Sequence, residues 1–125
     1  MNSTESTKII PQILLIDANG EHKGIQGSYC WNGICVDYSH PSKRTDFPEK
    51  IVIKNGSIIN FRIRDFVTPS EFRMTFFSDH NIVLDQSVSQ DQRISLAPGV
   101  YFLNVAAYWK GQGDVSNVFL IQVVD

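Results

Sequence analysis

The sequence predicts an all-β protein, an antiparallel two-sheet sandwich of immunoglobulin-like or related architecture with about eight to ten short strands. Three observations carry that reading. Apolar and polar residues alternate through most of the chain. Gly, Pro, Asn or Asp interrupts the alternation roughly every six to twelve residues, and helical periodicity is nearly absent. A β-barrel meets the same pattern and stands as the second architecture.

Residues 1–8 are polar and carry no apolar stretch, so they are expected to form a flexible tether, leaving residues 9–125 as a single domain. A first strand is predicted from Ile9 to Ile16, ending at Asp17-Ala-Asn-Gly20, and a second from about His22 to Trp31. Asn32-Gly33 then turns the chain back through Ile34 to Tyr38, because both residues tolerate the positive φ of a type I′ turn. Pro41 and Pro48 bracket a loop. Glu49 to Lys54 reads as a short strand and Asn55-Gly56 as a second hairpin turn. Its partner, Ser57 to Arg64, places Ile59, Phe61 and Ile63 on one face. A further hairpin joins Ser70–Ser78 to Asn81–Val88, with Phe72, Met74 and Phe76 inward. After Ile94, Leu96 and Pro98-Gly99, the stretch Val100–Trp109 aligns Tyr101, Leu103, Val105, Ala107 and Trp109 on one face. The last strand covers about Val115 to Val124, and Lys110-Gly-Gln-Gly-Asp114 forms an exposed turn before it.

Counting outward from Asn32-Gly33 pairs Trp31 with Ile34, Cys30 with Cys35, and Tyr29 with Val36. In a two-residue hairpin the first pair is hydrogen-bonded, so the cysteines fall on the next, non-hydrogen-bonded pair, where Cα atoms lie close enough for a disulfide. A Cys30–Cys35 bond is therefore predicted, the alternative being two reduced cysteines on a strand. Closing so short a loop should contribute less than the ~3 kcal/mol of a 15-residue loop, so the bond's expected role is to hold register and the neighbouring aromatic rings. The spacing fits neither a Cys-x-x-Cys redox motif nor a paired-knuckle zinc site. Persistent disulfides belong to oxidising compartments, which points to an extracellular or cell-surface location. Residues 1–8 do not have the make-up of a signal peptide, so export implies a signal already removed, and a cytoplasmic chain with a frayed N-terminus is the alternative.

Composition narrows the partners. The net charge is −2, and the 11 basic residues form no stripe, which argues against a nucleic-acid footprint or a polybasic membrane surface. No apolar run approaches the ~20 residues of a membrane-spanning helix.

Chemistry is sparse. His22, His40 and His80 fall in predicted turns or strand ends, and there is no Gly-x-Ser-x-Gly elbow, so a small envelope enzyme with a dispersed active site is only the second functional reading. Asp17, Asp37, Asp79, Asp85 and Asp114 lie in loops or at strand edges, where solvated carboxylates normally sit. Met74, Cys35, His40 and His80 supply the residue types of a copper site, but no single C-terminal loop holds them, and no metal is expected. The Asp79 and Asp114 loops lack the alternating carboxylates of a calcium loop. The glycine-rich turn at 110–114 opens no helix and offers no phosphate site, so no cofactor is expected.

Aromatic residues remain. Tyr29, Trp31, Tyr38, Tyr108 and Trp109 cluster in two regions of the sequence. Trp109 alternates in phase with Leu103 and Val105 and is expected in the core, whereas Trp31, beside a turn, suits either an exposed anchor or the core. The candidate ligand contacts are Tyr29, Trp31, Tyr108, Lys110, Gln112 and Asp114, in a binding module for a protein, glycan or envelope component.

Gly27-Ser-Tyr-Cys-Trp31 followed by Cys35-Val-Asp-Tyr38 resembles a motif of small exported, lipoprotein-like β-sandwich proteins of Bacillus-like Gram-positive bacteria. Ile51-Val-Ile-Lys-Asn-Gly56, Val105-Ala-Ala-Tyr-Trp109, Gly113-Asp114 and Phe119 follow in the same order as in that family. The resemblance implies an exported sandwich whose relatives carry a signal peptide and a lipid-modified cysteine upstream. It brings no established activity and no catalytic residue.

Overall fold

The computed structural model describes residues 10–89 and 91–125, so the expected tether at 1–8 and the start of the predicted first strand at Ile9 lie outside the described residues. In chain order the strands are β1 (Ile13–Asp17), β2 (Gly20–Lys23), β3 (Ile25–Trp31), β4 (Ile34–Val36), β5 (Lys50–Lys54) and β6 (Ile58–Ile63). They continue with β7 (Glu71–Ser78), β8 (Asn81–Val88), β9 (Gln92–Arg93), β10 (Gly99–Trp109) and β11 (Gly113–Val124). A four-stranded sheet runs β2-β1-β6-β9, and a seven-stranded sheet runs β4-β3-β11-β10-β7-β8 with β5 added beside β11. Pairing is antiparallel except for β5, which lies parallel to the second half of β11, Lys50 opposite Leu120 and Lys54 opposite Val124. The two-sheet sandwich is as expected, with eleven strands among the described residues where eight to ten were predicted.

The inner faces form one core. β10 contributes Tyr101, Leu103, Val105, Ala107 and Trp109, the set read from its alternation, and β7 contributes Met74 and Phe76. Opposite them lie Ile13, Leu15, Ile59 and Phe61 of the smaller sheet. Burying each large aliphatic or aromatic side chain favours folding by about 1.5–3 kcal/mol, which makes this layer the main source of stability. One polar side chain joins the sheets inside it. Asn117 of β11 accepts the Ile13 backbone N–H at Oδ1 (2.8 Å) and donates from Nδ2 to the Ile25 carbonyl and Gln12 Oε1 (both 3.3 Å).

Two predicted elements differ. The strand expected from His22 to Trp31 is divided at Gly24, β2 pairing with β1 and β3 with β11. The backbone changes sheets there so close to β11 that a methyl group on Gly24 would overlap the Val118 carbonyl oxygen. Asn55-Gly56 is a turn, closed by Ser57 N–H to Lys54 O at 2.9 Å, but it joins no hairpin. Only Gly56 takes positive φ (90°), as in a type II turn, whose geometry splays the flanking strands. β5 accordingly goes to the large sheet and β6 to the small one.

Residues 37–49 cross the outer face of the large sheet between β4 and β5. Phe47 packs on Phe102 (5.9 Å between ring centres) and His40 stands edge-on to Phe77 (4.7 Å). Arg44 donates to the Gln26 carbonyl (2.8 Å) and pairs with Asp46, and a short 3₁₀ turn spans Pro41–Lys43.

Candidate functional site

Asn32 (φ 51°) and Gly33 (φ 84°) both take positive φ, as a type I′ turn requires, and pair Trp31 with Ile34 and Cys30 with Cys35. The Cys30 and Cys35 Cα atoms are 4.0 Å apart and the disulfide is formed. It lies in the same cross-strand row as Asp114 and Tyr108, on the outer face, with Cys35 exposed. The turn at 110–112 abuts this hairpin. Asn32 N–H donates to the Gln112 carbonyl (3.0 Å), and Cys30 N–H donates to Asp114 Oδ1 (3.3 Å).

In the adjacent row, facing inward, Trp31 lies opposite Gly113 and Gly113 opposite Trp109. With no side chain between them, the two indoles meet edge to face over the glycine, ring centres 5.2 Å apart and planes at 83°. Phe66 closes the group, 5.6 Å from Trp31 and 5.7 Å from Trp109, both edge to face. Its segment is tied down by polar bonds: Trp109 Nε1 donates to the Val67 carbonyl (2.9 Å), Ser70 N–H to the Tyr108 carbonyl (2.7 Å), and Lys110 N–H to Ser70 Oγ (3.1 Å). Asp65, at φ 57°, reverses the chain into this segment from β6. A cleft of about 340 Å³ runs beside it, lined by Thr68, Ser70, Phe72 and Ser87 among others.

The sequence-predicted contacts therefore come together at one end of the sandwich, with one correction. Trp31 is only 5 % exposed and belongs to the core, because Phe66 from a distant loop covers the ring that the turn alone would leave open. Tyr29 is half-buried against the core, Tyr108 and Asp114 are exposed on the outer face, and Lys110 and Gln112 are exposed in the turn. What sequence reasoning missed is the apolar surface of this tip: Ile34 (61 % exposed), Val67 (64 %) and Phe66 (41 %). An apolar Phe66-Val67 pair within the otherwise polar stretch from Arg64 to Ser70 was the available signal.

The histidines form two separate groups. His22 links the small sheet to the end of the crossover segment, its Nε2 on Asp17 (2.9 Å) and its Nδ1 on Glu49 (3.2 Å). Burial of the ring is the largest single influence and opposes its charge, but the hydrogen bonds and negative charges of Asp17 and Glu49 together outweigh it, so the pKa is raised. His40 and His80 meet at Ser42 on the outer face, with Asp79 3.8 Å from His80, and both Asp79 and His80 are open to solvent. The residue types of a copper set are not assembled: Met74 is buried on the inner face and Cys35 is bonded to Cys30. Among the described residues no three or more His, Cys, Asp or Glu side chains converge as a metal-holding group, and no helix is long and apolar enough to cross a membrane. Comparison with protein-family models, curated proteins and solved structures found no match.

Proposed function

We propose that the chain is an extracellular or cell-surface β-sandwich binding module that engages a protein partner through the tip built on Trp31 and Trp109. The supporting observation is the exposure of Ile34, Phe66 and Val67 around that fixed indole pair. Apolar groups on a preorganised base lose little freedom on binding. Both indoles are covered, so a sugar could stack only on Tyr108 or Phe66, whereas the exposed aliphatic groups of Ile34 and Val67 favour a protein. The disulfide supports an oxidising compartment, and the motif resemblance supports export with a lipid anchor on an upstream cysteine.

The reading is tested by co-precipitation from the envelope fraction of the source cells, comparing the unaltered chain with Ile34→Asp/Val67→Asp and with Val52→Asp. Val52 is exposed on β5, away from the tip. A defined protein retained by the unaltered chain and by Val52→Asp, but lost from the tip variant, supports the proposal. Equal retention by all three contradicts it.

A further inference from the structure

We propose that His40 and His80 form a binding site for a divalent transition-metal ion of the zinc and copper kind, one that pins the crossover segment 37–49 to the β7–β8 turn. His40 precedes the 3₁₀ turn Pro41–Lys43, and His80 occupies the two-residue turn between Ser78 and Asn81. Their ring centres lie 5.0 Å apart. Their Nδ1 atoms converge on one oxygen, Ser42 Oγ, at 2.9 Å from His40 and 3.2 Å from His80.

The ring spacing fits two imidazoles on one ion. Two imidazoles on one tetrahedral ion, each with a metal–nitrogen distance of about 2.0–2.1 Å, place their ring centres roughly 5 Å apart. Imidazole nitrogen suits ions of this class, and the Ser42 hydroxyl adds an oxygen where the two Nδ1 atoms meet. His40 is held in orientation by its edge contact with Phe77, so the site is partly preorganised. Asp79, 3.8 Å from His80 Nε2, places a carboxylate beside the ring. The exposed side of His80 leaves room for water to complete the coordination. His22 is different, because its two nitrogens point in opposite directions to separate carboxylates, Asp17 and Glu49, whereas the Nδ1 atoms of His40 and His80 converge on one oxygen.

Metal binding has a local spectroscopic mark. Without metal, His40 Nδ1 accepts the Ser42 backbone N–H at 3.2 Å, and an ion on that nitrogen removes the acceptor. The test is calorimetric titration of the untagged, disulfide-intact chain with Zn²⁺ near neutral pH, followed by amide NMR. One Zn²⁺ per chain is expected, with a shifted Ser42 amide and no binding of Mg²⁺. His40→Ala and His80→Ala should each weaken Zn²⁺ binding by at least about tenfold, and His22→Gln should leave it unchanged. His80 is exposed, so His80→Ala keeps the test decisive if His40→Ala loosens the crossover. Absence of saturable Zn²⁺ binding, binding unchanged in His80→Ala, or binding lost only in His22→Gln would overturn the proposal.

Discussion

Trp31 and Trp109 stand on strands separated by β11, yet their rings meet edge to face at 5.2 Å because the residue between them is Gly113. The tip is organised around that absent side chain. Gly113 has φ 134°, and a methyl group there would overlap the Cys30 carbonyl oxygen, so the disulfide strand, the glycine and the indole pair are interdependent.

Truncating the pair should therefore be costly. Trp31→Ala and Trp109→Ala are each expected to lower unfolding free energy by about 3–5 kcal/mol, measured by urea titration, and Gly113→Ala should be destabilising although it adds only a methyl. In the unaltered chain, acrylamide should quench tryptophan emission poorly, since both indoles are buried.

The disulfide should matter less to global stability. Cys30→Ser/Cys35→Ser is expected to cost less than about 3 kcal/mol, because the closed loop is so short. Among the described residues β4 is a three-residue edge strand paired only with β3, so the loss should appear as faster amide exchange in Ile34–Val36 before it appears elsewhere. Exchange there unchanged from the bridged chain would argue against a register role.

The parts of this fold legible in sequence are those fixed by neighbours along the chain. Asn32-Gly33 dictated its own hairpin, the cysteine pairing followed by counting, and the alternation from Tyr101 to Trp109 named a buried face correctly. Decisions made by distant residues were not legible. Gly24 could not reveal that β11 lies beneath it, and Asn55-Gly56 looks like a hairpin turn until Asn55 is seen to lack positive φ. The fate of Trp31 depended on Phe66, which reaches it only through the fold, and for the same reason the exposed Ile34, Phe66 and Val67 went unread.

Asn117 offers a separate test of the sheet-to-sheet contact. Asn117→Leu leaves the buried Ile13 N–H without its acceptor, with an expected loss of about 1–3 kcal/mol. Asn117→Asp keeps an acceptor for Ile13 but sets a carboxylate against the Ile25 carbonyl, so it should not restore stability near neutral pH.

His22 should make stability pH-dependent on the alkaline side. Its native pKa is raised above the ordinary value of 6.5, so the native state holds the proton more tightly than the unfolded chain. The contribution is full below about pH 6.5 and is lost as pH rises through the raised native value. A neutral ring has one N–H and can donate to only one of Asp17 and Glu49. Denaturation midpoints should fall over this interval in the unaltered chain and stay flatter in His22→Gln; parallel profiles would remove His22 as the cause.

The binding claim is tested most directly by site-specific photo-cross-linking on intact cells or envelope fractions. A photoreactive side chain is placed at position 34 or 67 on the tip, with position 52 on β5 as the control. Cross-linking from 34 and 67 to one and the same protein, with none from 52, is the predicted result. No protein adduct from either tip position, or the same adducts from 52, would contradict a protein-binding tip.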